Sequence, residues 1–156
     1  MIDPLDEFDR KILEIVQLDC RAKAETIGDM VGLSASAIQR RLKRLRDCGV
    51  ISAEIAVVDR SIAGNLMTFI VGMEIERENH AALSKFGAWA DEQLHIQQAY
   101  YVTGSVDLIA VIIARDVAQF DEITTRLMSE NPQIKRLRTN VAFKNIKLGM
   151  YAPIVP

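Results

Sequence analysis

The sequence predicts an α+β chain. An N-terminal helix-turn-helix leads through an extended wing or linking strand into a C-terminal ferredoxin-like βαββαβ unit. Three observations carry this expectation. Apolar residues recur at helical spacing before Gly64, and the chain changes character there. Gly28, Gly32, Leu33 and Ile38 stand at the spacing of two helices joined by a tight turn. The second half then reads strand, helix, strand, strand, helix, strand, the order of a split βαβ unit.

The first helix follows from the stripe Phe8, Ile12, Ile15 and Val16, with Leu13 beside it and Asp6 placed as its N-cap. Residues 24–31 (AETIGDMV) make a short second helix that Gly32 terminates. Ser34 caps a third helix, which ends near Cys48 with Gly49 in the position that favours a left-handed residue. The segment 50–59 (VISAEIAVVD) is β-branched and roughly alternating, so it reads as the wing or linking strand. Strands follow at 66–76, 96–103, 107–114 and 134–146, with helices at 79–93 and 116–130. The boundaries are then 1–50 for the helical domain, 51–64 for the linker and 65–156 for the second domain. LIAVIIA (108–114) is apolar on both faces, whereas a sheet with one face in water alternates. The sequence holds no third helix for the second face. A second copy of the same sheet is the economical cover, so a homodimer is expected.

At 156 residues the chain can form one ordinary domain or two small ones. Its 49% apolar and 26% charged content is ordinary for a water-soluble globular protein. The net charge of -2 excludes a uniformly basic coat but leaves room for a local basic patch. The acidic start MIDPLDEFDRK is no signal peptide, and LIAVIIA is too short to span a bilayer, so a cytoplasmic, nucleoid-associated protein is expected. Cys20 and Cys48 fit no metal motif and read as two reduced thiols. His80 and His95 are not spaced as metal ligands. With no phosphate loop, nucleophile elbow or Ser/His/Asp set, the sequence holds no recognisable catalytic constellation. Neither metal nor cofactor is expected. Asp6, Glu7 and Asp9 read as charges favoured at a helix start.

The third helix holds five positive charges between Arg40 and Arg46. At about 100° per residue, Ile38, Leu42 and Leu45 fall within roughly 60° of each other and form the buried side. Ser36, Arg40, Lys43 and Arg44 lie opposite, with Gln39 at the edge; Arg41 and Arg46 sit at the boundary. Arg pairs with guanine and Gln with adenine in a major groove, and small residues allow close approach. The helix start at Ser34 to Ser36 offers backbone N–H groups to a phosphate. The expected partner is double-stranded DNA, read by Ser34, Ser36, Gln39, Arg40, Lys43 and Arg44. A solvated basic face is the competing account of the same charges.

The segments LDEFDRKIL (5–13), Asp19, Arg21 and ETIGDMVGLSASAIQRRLKRLRDCGVI (25–51) resemble the N-terminal domain of Lrp/AsnC-type transcriptional regulators. VTGSVDLIAVI (102–112) and RTNVAFKNIK (138–147) resemble the effector domain of the same family. The resemblance implies a winged helix-turn-helix, a β-linker and an αβ-sandwich domain. It also implies a dimer that often assembles further, to tetramers or octamers, and regulation by a free amino acid bound in the second domain. Many members carry an acidic residue after the TG or SG pair, where this chain has Ser105-Val106, so its turn is less polar.

For such an effector, the turn of Thr103, Gly104, Ser105 and Val106 supplies backbone N–H donors to the carboxylate, and Asp107 is an acceptor for the ammonium. By resemblance Asn140, Val141 and Ala142 contribute walls, and of Tyr100 and Tyr101 the second is the candidate. Against this stands a purely structural role: Gly104 for turn geometry and Asp107 for a local bond. Two other functions remain open at this level. One is a DNA-wrapping architectural protein with no effector; the other is a metabolite-binding or enzymatic ferredoxin-like domain.

Overall fold

A computed structural model describes residues 4–59, 62–76 and 80–154, the side chains of residues 80–82 excepted. The expected helix start at Asn79 and the His80 side chain lie outside the described residues. The chain divides into two units. One comprises the chain up to Val57 together with the stretch from Lys147 onward; the other runs from Val58 to Ile146.

The first unit contains α1 (Glu7–Leu18), α2 (Ala24–Val31) and α3 (Ala35–Asp47). Asp6 caps α1 through a reciprocal box: its carboxylate accepts from the Asp9 N–H, and the Asp9 carboxylate accepts from the Asp6 N–H. Gly32 closes α2 at φ +78°, and Ser34 caps α3 by accepting from the Ala37 N–H. Gly49, just past α3, lies at φ +77°. Ile12, Leu13, Ile27, Val31, Ile38, Leu42 and Leu45 form the core, with Leu33, Val50, Ile51 and the distant Ile154 packed on it. The stripe of α3 is buried as expected, and so are Ile12 and Leu13 of α1 with Ile15 and Val16 packed on them, whereas Phe8 is exposed.

The second unit contains β1 (Met67–Ile75), α4 (His80–Asp91), β2 (Ile96–Tyr101), β3 (Leu108–Ala114), α5 (Val117–Glu130) and β4 (Ile134–Ala142). The strands form an antiparallel sheet in the order β2-β3-β1-β4, which is the ferredoxin-like arrangement. Phe69, Val71 and Met73 of β1 and Leu108, Ala110 and Ile112 of β3 face the helices, packing with Phe86, Ala90, Ile123 and Leu127. Residues alternate sides along a strand, so Ile70 and Gly72 of β1 and Ile109, Val111 and Ile113 of β3 point to the other face. Among the described residues no helix of this unit covers that face, and Ile70 is 41% exposed.

Two expectations are corrected. Residues 50–59 form no strand, because a strand exists only as part of a ladder and none among the described residues pairs with them. β4 stops at Ala142 rather than residue 146, because its last partner is Thr68, near the start of β1. The stretch from Lys147 clusters with the helices.

Candidate nucleic-acid interface and effector turn

α3 buries Ile38, Leu42 and Leu45, which turns Ser36, Gln39, Arg40 and Lys43 to solvent. Among the described residues, the Gln39 and Arg40 side chains have no hydrogen-bonded or ionic partner. Lys43 Nζ lies 2.6 Å from the Asp47 carboxylate, an exposed pair one helical turn apart that holds the side chain only weakly. Ser34 Oγ accepts from Ala37 N at 3.3 Å and sits 3.1 Å from Ser36 Oγ. The Ala35 and Ser36 N–H groups of the first turn have no intrahelical acceptor, as helix geometry requires.

The other three cations of α3 are committed. Arg41 donates to Asp6 at 2.7 Å and to Asp9 at 2.8 Å, with its guanidinium 5.6 Å from the Phe8 ring centroid. Arg46 donates to Glu54 at 2.8 Å. Arg44, expected among the outward readers, donates to the other Asp9 oxygen. Asp9 is 1% exposed and so binds two guanidiniums of α3 from within α1. Burial pushes its carboxyl up, but the hydrogen bonds from Arg44 and Arg41 and from the Asp6 backbone outweigh burial and hold it below the usual range. The helix-start role expected of Asp9 is present as well, in the capping box with Asp6, but it does not reveal these two arginine partners. The available signal was position: Asp9 lies three and four residues before Ile12 and Leu13, on the buried stripe.

In the second unit Gly104 turns at φ +134°. Val102 N–H donates to the Asp107 carbonyl, and Asp107 N–H to the Met73 carbonyl, both at 2.9 Å. Asp107 Oδ2 accepts from Ile75 N–H at 2.9 Å, so this carboxylate locks the turn to the end of β1. Val106 folds onto Gly72: a Cβ there would lie 2.9 Å from Val106 Cγ1. Val106, Asn140 (opposite Ile70) and Ala142 (opposite Thr68) therefore share the open sheet face. Tyr101 does not join them. It pairs with Leu108 on the helix side, whereas Tyr100 pairs with Ile109 on the open face. Thr103 and Gly104 are exposed at the turn. Along β4, Ala142 is roughly 14 Å from the level of Gly72, so one copy of the chain does not gather the whole set around one point. A cavity between α4 and β2, lined by Gly87, Ala90, Ile96 and Gln98 among others, includes none of these residues. Among the described residues no cluster of His, Cys, Asp and Glu could hold a metal, and no helix is long and apolar enough to cross a membrane.

Residues 5–46 match the AsnC-type helix-turn-helix domain, and residues 68–151 match the Lrp/AsnC ligand binding domain. The chain is 37% identical over 150 residues to the HTH-type transcriptional regulator y4tD of Sinorhizobium fredii, covering 96% of this chain and 89% of that one. The crystal structure of an AsnC family transcriptional regulator from Agrobacterium tumefaciens superposes with a TM-score of 0.83 at 26% identity, covering 96% and 97% of the two chains. A transcriptional regulator of Neisseria meningitidis, in complex with L-Met, shares the fold with a TM-score of 0.82 at 22% identity, covering 96% and 97%. The chain thus belongs to the Lrp/AsnC family of DNA-binding transcriptional regulators, with an N-terminal helix-turn-helix and a C-terminal ligand-binding domain.

Proposed function

We propose that the protein reads a specific DNA sequence through α3 and that a free amino acid bound in the C-terminal unit modulates this reading. The observation that carries the first half is the division of labour on α3. Ser36, Gln39 and Arg40 face outward without side-chain acceptors or donors that would compete with DNA, apart from the Ser34–Ser36 hydroxyl contact. Arg40 and Gln39 supply base-edge hydrogen bonds, Lys43 exchanges Asp47 for a phosphate, and the Ser34–Ser36 start binds a second phosphate. Arg44, held by Asp9, positions the helix instead of reading bases.

For the second half, support comes from the ligand-binding domain match and from the L-Met held by the Neisseria regulator of the same fold. Thr103, Gly104, Val106 and Asp107 at the turn, with Asn140 and Ala142 on β4, are the proposed contacts. Their spread along the open face fits a site completed by a second copy. A homodimer, able to assemble further, carries two α3 helices, so a pseudo-palindromic operator is expected, bound at the nucleoid. The effector acts by binding one state of the assembly better than another.

Salt-matched gel shifts on a selected operator test both halves. Arg40→Ala weakens specific binding by about tenfold to a hundredfold, while Lys85→Ala, on exposed α4, leaves it nearly unchanged. Equal loss from both variants removes α3 from the reading role. Repeating the titration with each of the twenty amino acids identifies the effector; twenty identical curves refute the regulatory half and leave the DNA half standing.

A further inference from the structure

The C-terminal stretch returns to the helical unit and docks on α1. Gln17, on the last turn of α1, donates from Nε2 to the Ala152 carbonyl at 3.0 Å and accepts from the Ala152 N–H on Oε1 at 2.8 Å. A carboxamide that bonds both backbone groups of one residue imitates a neighbouring strand, and a slip of one residue breaks both bonds. Two residues further on, Ile154 packs against the core of Ile12, Leu13, Ile27 and their neighbours. The polar pair sets the register and the apolar side chain supplies the adhesion. Residues 152–154 lie outside both family matches, which end at 46 and 151.

We infer that this stretch, with Gln17 and Ile154 as its contacts, is a strap that completes the DNA-binding unit and on which DNA reading depends. The chain passes between its units twice, after Val57 and after Ile146. The strap rests on α1, and α1 holds α3 through Asp9, Arg41 and Arg44. Loosening the strap therefore reaches the reading face through two sets of contacts internal to the unit. The occupant of the α1 site is the chain's own C-terminus, because that segment supplies both the matching backbone pair and the apolar anchor.

Crosslinking in the full-length protein tests the docking. With Cys20→Ser and Cys48→Ser as background, the Gln17→Cys/Ala152→Cys pair is treated with a short bismaleimide. Arg46→Cys/Glu54→Cys, whose native side chains are ion-paired, serves as the reactive control. A link within one chain is expected, migrating at monomer mass. A dimer-mass product alone, or no product while the control reacts, overturns the inference. A chain ending at Lys147 then tests dependence. Hydrogen exchange of the α1 amides at residues 13–18 should speed up by about tenfold, and operator affinity should fall by a similar factor. The β1 and β3 amides should stay as protected as in the full chain. Gln17→Ala and Ile154→Ala should each produce part of the same loss, which keeps the test open if the shortened chain is poorly folded. Unchanged α1 protection and unchanged affinity in these variants overturn the proposed dependence.

Discussion

Asp9 stands where the buried stripe of α1 asks for an apolar side chain, and it is kept charged there by two arginines from α3. A buried carboxylate without partners would be costly, so the pair of guanidiniums makes the arrangement stable only while Asp9 is ionised. Its folded-state carboxyl is held below its ordinary value, so its stabilisation is fully present above the unfolded-state value of about 3.9 and is lost as pH falls through the lower folded value. Asp9→Asn is expected to cost about 3 kcal/mol at pH 7, and urea unfolding should show the gap to the parent narrowing as pH drops below about 4. A pH-independent gap would mean that packing alone accounts for the effect. This residue also shows where sequence reading stops. Helical spacing places Asp9 on the inner stripe, yet only the folded helices bring Arg41 and Arg44 to it from 32 and 35 residues away. The same holds for Arg44, whose angle on α3 is legible in the sequence and whose partner is not.

Among the elements, the turn between α2 and α3 is set by two glycines with different physical needs. Gly32 supplies the left-handed φ of +78°, and its missing Cβ faces open space. Gly28 allows contact: a Cβ there would sit 2.4 Å from the Leu33 carbonyl oxygen, and the Gly28 carbonyl accepts from both Gly32 and Leu33 N–H. Gly28→Ala should therefore cost about 2–3 kcal/mol and Gly32→Ala about 1–2, a ranking that thermal melts of the two variants will check. An equal cost would show that the turn relaxes around Gly28. Helix caps were legible because they depend on neighbours within four residues: Asp6, Gly32, Ser34 and Gly49 all occupy the expected positions. The 50–59 segment shows the opposite case. Its alternation satisfies the strand pattern, but a strand also needs a partner that no local pattern encodes.

At the scale of the second unit, the sheet face away from α4 and α5 carries the exposed Ile70 and the half-buried Ile109, Val111 and Ile113. Val111 lies near its centre, between Ile70 on β1 and Gln98 on β2, and is only half-buried. If a second sheet covers this face, Val111→Glu should yield monomers in sedimentation velocity with the parent's far-UV circular dichroism retained. A dimer that persists would place the interface elsewhere. The ferredoxin-like order and its one-sided helices were readable from periodicity, since burial enforces alternation on each strand. The effector set was less so. Spacing and resemblance gathered Tyr101 with Val106 and Asn140, but strand register puts Tyr101 on the side opposite to them.

By itself the sequence determined the element order, the caps, the buried face of α3 and its outward Ser36, Gln39 and Arg40, because each depends on residues close along the chain. Only the tertiary structure decided that Asp9 claims Arg41 and Arg44 and that Asp107 is bound to Ile75. It also decided that residues 147–154 belong to the helical unit. The reason is common to all three. A hydrogen bond or an ion pair selects its partner by position in space, and position between residues far apart in sequence exists only once the chain has packed.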